Sequence, residues 1–332
     1  MAITVSARRT RDRNTVDSRA DLVPGTYRPG SSTTGVLPGT VLTTYAGATT
    51  ITTAGTTISN KEIFASLDIQ AANVTIDNCK IRATTGASYV VSATNAAASN
   101  TVITNCEVFP DVPSHNYNGI QGHGLTVKYC NIHDTVDGVN LFYANTANNS
   151  VIMQNWIHDM AYFTPDSNHA DNQTHNDGIQ IQGSKGPILI QGNFIDARGY
   201  SAVSGTLGSL PDRGTGDDTN GRHNFGALTC IQFTDAPVNV YTISTPAAQV
   251  KVLDNYLYGA YRSLAAGSAD SDLGIWWRNK FDDTQGLRDS LSVKTGVCIT
   301  VDALVTVDAG EGTSNANVYV ADGSEVLVRR NG

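Results

Sequence analysis

Charge, paired cysteines and long apolar runs are all scarce in this chain of 332 residues, and each shortage removes a class of protein. Charged residues make up 16% of the sequence and the formal net charge is −8, so the basic footprint of a nucleic-acid binder is missing. No stretch is long and apolar enough for a membrane span. The five cysteines (Cys79, Cys106, Cys130, Cys230 and Cys298) are odd in number and form no CxxC pair, which argues against a disulfide framework or a zinc knuckle and for reduced thiols in the core. Helix-forming runs rich in Ala, Glu, Lys, Leu and Arg are absent, and no long amphipathic helices separate the strand-like segments. Bundles, TIM barrels and Rossmann folds are therefore excluded. The opening MAITVSARRTRDRN lacks an apolar signal core and predicts a chain made in the cytoplasm without a signal peptide. Phosphate-loop, GxSxG and HExxH motifs are missing too.

Present instead is a recurring phrase of eight residues. It reads TTISNKEI (56–63), VTIDNCKI (74–81), TVITNCEV (101–108), LTVKYCNI (125–132), SVIMQNWI (150–157), ILIQGNFI (188–195), VKVLDNYL (250–257) and GIWWRNKF (274–281). The third column is Ile58, Ile76, Ile103, Val127, Ile152, Ile190, Val252 and Trp276. The eighth is Ile63, Ile81, Val108, Ile132, Ile157, Ile195, Leu257 and Phe281. Both are apolar, as the buried face of a short strand requires. In five copies the fifth position is Asn60, Asn78, Asn105, Gly192 or Asp254, residue types that accept left-handed backbone and so mark a bend. The sixth column holds Cys79, Cys106 and Cys130, then Asn155, Asn193, Asn255 and Asn279. Like residues one coil apart form ladders when parallel strands stack about 4.8 Å apart.

These columns predict an all-β fold, a single-stranded right-handed parallel β-helix, with an N-terminal arm and a small C-terminal β cap. Steps between eighth-column residues are 18, 27, 24, 25, 38, 62 and 24 residues, so the 38 and 62 steps hold insertions, and the longest has room for an extra coil. A second strand recurs as NGIQGHG (118–124), DGVNLFY (137–143), DGIQIQG (177–183) and TCIQFTD (229–235), with Gln121, Asn140, Gln180 and Gln232 in register. Residues 1–45 read as an extended arm and cap, 46–282 as the solenoid, and 283–332 as a β-rich cap or oligomerisation element. Arg8, Arg9, Arg11 and Arg13 could meet phosphate or an acidic partner, but a solvated arm docking on a neighbouring subunit is the reading favoured here.

The phrases TGVLPGTVL (beginning at Thr34), ATTITTAGTTI (48–58), AANVTIDNCKI (71–81) and NDGIQIQG (176–183) with ILIQGNFI resemble the pectate-lyase-like right-handed β-helix proteins of actinobacteria and their phages. The resemblance spans roughly residues 30–260 and specifies a fold better than an activity. It implies either a minor tail protein of a phage virion or a polysaccharide lyase or glycoside hydrolase. With no secretion signal and an N-terminal arm, it leans to the tail protein. The implied partners are other virion tail proteins, further copies of the chain (a trimer among them) and a host cell-envelope glycan. No cofactor is implied beyond a divalent cation as an option.

Chemistry-bearing residues concentrate in HDMAYFTPDSNHADNQTHNDGIQIQG (158–183), within the 38-residue step. Asp137, His158, Asp177 and Asp196 are the candidates for acid/base work on a saccharide. His133, His158 and Asp196 each follow the eighth column and should form one row. His169, Asp171, His175 and Asp177 are the binding candidates, and as N/O donors they also make a candidate metal set. Against both stands a plain structural role, since Asx and His residues cap turns and ladder with one another. Gly122-His123-Gly124 is similar to a polygalacturonase element but lacks its paired acid one coil earlier. Arg198 beside Asp196 is the nearest analogue of a pectate lyase base.

Overall fold

The computed structural model describes residues 19, 22–84, 88–141, 149–166, 168–170, 172–182, 187–201, 229–233, 250–258, 262–266, 272–281, 290–293, 298–301, 305–309, 317–320 and 326–330. They build a right-handed parallel β-helix: three sheets of nine, eleven and ten described strands, here A, B and C, visited in turn by the coils as far as Phe281. Every pairing is parallel and joins one coil to the next. The third and eighth columns face inward; Ile76, Ile103, Ile152 and Ile190 on sheet C and Ile81, Ile132, Ile157 and Ile195 on sheet A are all fully buried. Among the described residues no helix is long and apolar enough to cross a membrane.

The bend from sheet C to sheet A is left-handed at every fifth-column residue. Asn60, Asn78, Asn105, Gly192 and Asp254 have φ of 55, 53, 53, 66 and 58°. Tyr129, Gln154 and Arg278, which carry no Asx or Gly signal, share the geometry at 55, 56 and 52°. Stacking imposes the turn there against local preference.

The sixth column runs through the core behind this bend. Asn155 Nδ2 donates to Val127 O (3.0 Å), Asn193 Nδ2 to Ile152 O (2.9 Å), Asn255 Nδ2 to Ile190 O (3.1 Å) and Asn279 Nδ2 to Val252 O (2.9 Å). Each amide oxygen accepts the backbone N–H of the preceding coil, as in Cys130 N to Asn155 Oδ1 (2.9 Å) and Asn155 N to Asn193 Oδ1 (3.0 Å). The thiols of Cys79, Cys106 and Cys130 are free and buried, and each approaches the equivalent third-column carbonyl at 3.6 to 3.7 Å. They satisfy the same acceptor more weakly and lack the strong oxygen acceptor that Asn supplies.

The 62-residue step holds no additional coil. Phe194–Asp196 pairs directly with Tyr256–Tyr258, and Ile188–Gln191 with Val250–Leu253. Its extra length is insertion flanking Thr229–Phe233 of sheet B. After residue 283, strands from Ser290–Val293 to Val326–Arg330 pair in the same parallel sense and extend sheets B and C.

Residues 22–40 lie as a strap along the left-handed bend of their own chain. Gln154 Nε2 donates to Leu22 O (2.6 Å), and Lys280 Nζ reaches Gly25 O (2.8 Å) far down the stack. The chain then climbs back: Arg28 covers the Phe194 ring (4.7 Å), Gly35 N bonds Tyr129 O (2.8 Å) and Leu37 N bonds Asn78 Oδ1 (2.7 Å). Arg19 is buried where the strap begins, its guanidinium on Gly35 O (2.6 Å), Thr34 O (3.2 Å) and Asn105 Oδ1 (3.2 Å). Arg8, Arg9, Arg11 and Arg13 lie outside the described residues.

Candidate functional site

Two polar clusters occupy the corner where sheet A passes to sheet B. The first is the row on sheet A. His133 and His158 are paired in register, with ring centroids 5.3 Å apart, and Asp196 follows one coil below. His133 Nδ1 meets Asp134 Oδ2 at 2.6 Å, its Nε2 faces Glu107 Oε1 at 3.5 Å, and Phe109 stacks on the ring at 4.7 Å. Burial disfavours the imidazolium, but the two carboxylates outweigh it and raise the pKa to about 9. Glu107 is lowered in turn, first by the His133 hydrogen bond and then by the Lys80 charge, against burial.

This histidine is an ion-pair strut rather than a proton shuttle. Because its folded pKa lies above the ordinary value of 6.5, its stabilising contribution is complete below pH ~6.5 and is lost as pH rises through about 9. Thermal midpoints of wild type and His133→Gln should therefore converge between pH 7 and 10. A constant gap across that range would refute the ion-pair role.

His158 is held on both sides, by Asp159 Oδ2 at Nδ1 (2.7 Å) and Asn131 Oδ1 at Nε2 (2.7 Å), with Trp156 stacked at 3.6 Å. Asp196 is buried and gripped by Arg198 through Nε (2.8 Å) and Nη2 (2.7 Å). Arg198 also lies over the Tyr258 ring at 3.9 Å. A guanidinium forked on a carboxylate keeps its proton, so the analogy to a lyase base is not supported by this geometry.

The second cluster sits at the start of the sheet B strands. Asp137 and Asp177, three coil positions before Asn140 and Gln180, are adjacent: Asp177 N donates to Asp137 Oδ1 at 2.9 Å. Gly138 between them and the core explains their direction. A Cβ on Gly138 would strike Ile157 Cγ2 and Gly178 O at 2.5 Å, so position 138 faces inward and Asp137 outward. Val139 and Leu141 are in the core too, so the alternation is interrupted at Gly138–Val139 and resumes with Asn140 on the side away from the core.

Amides tie the acids together. Gln180 Nε2 donates to Asp177 Oδ2 (3.1 Å), while Gln180 Oε1 accepts from Asn140 Nδ2 (2.5 Å) and Gln182 Nε2 (2.8 Å). One coil up, Gln121 takes Asn118 Nδ2 (3.1 Å) and gives to Ser92 Oγ (3.2 Å), so its hydrogen bonds turn away from Asn140. Asn140 Oδ1 is left buried with no partner among the described residues. Burial pushes the Asp137 carboxyl up to about 7, moderated by the Asp177 N–H, by His169 and by Asn140.

The insertion flanks this face. His169 Nδ1 bonds Asp166 Oδ2 (2.5 Å) and its ring stacks on His175 at 4.3 Å. Burial would raise Asp166, but His169 and the Asn168 N–H lower it. Asn168 Nδ2 ties the loop to Asn116 Oδ1 (2.9 Å). Asp171 of the sequence-predicted set lies outside the described residues. Among the described residues no three His, Cys, Asp or Glu side chains gather as a metal site.

The sequence-predicted candidates thus fall into two groups, His158 with Asp196 on sheet A and Asp137 with Asp177 on sheet B, the latter flanked by the stacked His169 and His175 of the insertion. The buried thiol of Cys230 has its pKa raised first by burial and then by the charges of Asp196 and Asp177. The orphaned oxygen of Asn140 is the feature that sequence reading missed; the aligned DGVN and DGIQ phrases mark the position but not the direction of its hydrogen bonds. Compared with family models, curated proteins and solved structures, the chain matches none.

Proposed function

We propose that this chain is a structural component of a phage tail, a minor tail protein whose β-helix attaches to a glycan of the host cell envelope. One observation carries the choice of binding over cleavage. The sheet A candidates have their proton-transfer atoms occupied by the fold, whereas sheet B carries a row of amides in which Gln121 and Gln180 are half-buried, hydrogen-bonded among themselves beside Asp137 and Asp177. Gln121, Asn140 and Gln180 recur at the coil spacing of about 4.8 Å, and amides both give and accept hydrogen bonds, which suits a chain of hydroxyl groups. The sequence resemblance supports the virion setting. In this reading the arm bearing Arg8 to Arg13 docks on other tail proteins or on a second copy.

A depolymerase is the second reading, and Asp137 favours it: a carboxyl with a pKa of about 7 can give or take a proton at neutral pH. Co-sedimentation with host envelope fragments tests the first reading. Wild type should pellet with them, and His169→Ala combined with Asp177→Ala should weaken retention about tenfold or more. Retention unchanged by the double substitution would place the binding face elsewhere.

A further inference from the structure

We infer that the N-terminal end of the solenoid is a self-association surface, on which the first coil pairs edge to edge with the first coil of a second copy of this chain. The inference stands apart from the glycan-attachment reading. The first coil is Thr43–Thr44 on sheet A, Thr50–Ile51 on sheet B and Thr57–Ser59 on sheet C, the outermost strand of each sheet. Its ladder hydrogen bonds run to the coil that follows. Thr43 N and Tyr45 N donate to Asn60 O (3.2 Å) and Glu62 O (2.9 Å), while Thr49 O, Ile51 O and Thr56 O accept from Asp68 N (2.8 Å), Gln70 N (2.9 Å) and Thr75 N (2.8 Å). Backbone groups alternate in direction along a strand, so Thr44, Thr50 and Thr57 turn theirs the other way, where no strand of the described residues pairs with them. All three residues are exposed.

Open edges are ordinarily blunted by charge or proline, and this one carries neither. No Asp, Glu, Lys, Arg or His occurs from Pro29 to Asn60, and no proline from Val41 to Asn60. The core behind the edge is nonetheless closed. Ile51 and Ile58 are each 4% exposed, and Tyr45 packs on the core with its hydroxyl donating to Ala48 O (2.8 Å). What the end offers is therefore backbone donors and acceptors among small hydroxyl side chains. A second copy is the occupant this chemistry fits. About a two-fold axis each group meets its own kind, which a charged edge could not do without repulsion, and which an edge of mixed donors and acceptors can. The facing strands then run antiparallel and can bond as a ladder. The far end of the solenoid is a poorer match: among the described residues sheet A stops at Phe281, and Val326–Arg330 closes with two arginines. The stretch Val41–Asn60 supplies about 20 residues, the low end for one side of a stable interface, so a micromolar dissociation constant is expected.

Sedimentation velocity of the full chain from about 1 to 200 µM tests this, with amide hydrogen exchange measured at both ends of the range. Monomer should give way to dimer, and the amides of Thr44 and Thr50 should exchange more slowly as concentration rises. Thr44→Lys combined with Thr50→Lys, both at exposed positions, should weaken the dimer about tenfold or more. Lys251→Glu, exposed on the side of the stack, should leave it unchanged. A monomer at every concentration overturns the inference. So does a dimer indifferent to the double lysine variant, which would join the copies elsewhere, and so do species larger than a dimer. Slow exchange of Thr44 and Thr50 at all concentrations overturns it too, because the chain's own residues would then fill the edge. Should the double variant fail to fold, the concentration dependence of exchange in wild type still decides.

Discussion

Replacing Asn193 by Leu is expected to lower the unfolding free energy by about 3–5 kcal/mol, although the two side chains are of similar size. Asn193 is fully buried. Its Nδ2 serves Ile152 O and Asn255 Oδ1, each at 2.9 Å, and its Oδ1 takes Asn155 N at 3.0 Å and Asn155 Nδ2 at 2.9 Å. Leucine would leave Asn155 N without its acceptor and Ile152 O without its amide donor, and would take one of two partners from Asn155 Nδ2 and from Asn255 Oδ1, which keep Val127 O and Asn193 N. Each such loss costs about 1–3 kcal/mol, and they are not additive because the atoms share one network. Cys106→Ala is the control, since its thiol makes only weak bonds, at 3.0 Å to Thr104 O and 3.7 Å to Ile76 O, and should cost far less. Denaturant titration of both variants measures the contrast. A loss below about 1 kcal/mol for Asn193→Leu would mean that the amide ladder does not hold the coils together.

Asp137→Asn is expected to act in the opposite direction, raising stability by about 2–4 kcal/mol at pH 8. The folded carboxyl titrates at about 7 against an ordinary 3.8, so ionisation opposes folding. For an acid raised in the folded state this penalty is absent below pH ~4, grows between 4 and 7, and is complete above 7. Asparagine keeps an oxygen for the Asp177 N–H and carries no charge. The difference between wild type and variant should therefore vanish near pH 4. A variant no more stable than wild type at pH 8 would show that Asp137 has a counter-charge after all. A stability cost retained at this one position is what a site kept for a ligand would display.

The architecture was legible because the repeat is expressed in side-chain types. Ile at the third and eighth columns, and Asn at the sixth, occupy environments that tolerate little else, and all lie where the alignment puts them. The bend was half visible. Asn60 and Asp254 announce it chemically, but Tyr129, Gln154 and Arg278 adopt it only because their coils are stacked between others. The strap was invisible for a different reason. Leu22, Gly25 and Gly35 bind through backbone groups to residues far along the chain, Gln154, Lys280 and Tyr129, and no periodicity encodes such contacts. The candidate acids were named from residue type alone. Whether Asp196 is available depends on Arg198 reaching it, and whether Asp137 is perturbed depends on burial, neither of which a sequence states.

Attachment without cleavage is the central claim about function, and one measurement addresses it directly. Purified full-length chain is incubated with host envelope polysaccharide near pH 7, where Asp137 is half-protonated and best suited to acid/base work. Reducing ends and unsaturated sugar products are then quantified alongside the fraction of protein bound. Attachment predicts saturable binding with product at the level of the polysaccharide alone. Product release by wild type that falls by about 10²-fold or more in Asp137→Asn would contradict it and make the chain a depolymerase.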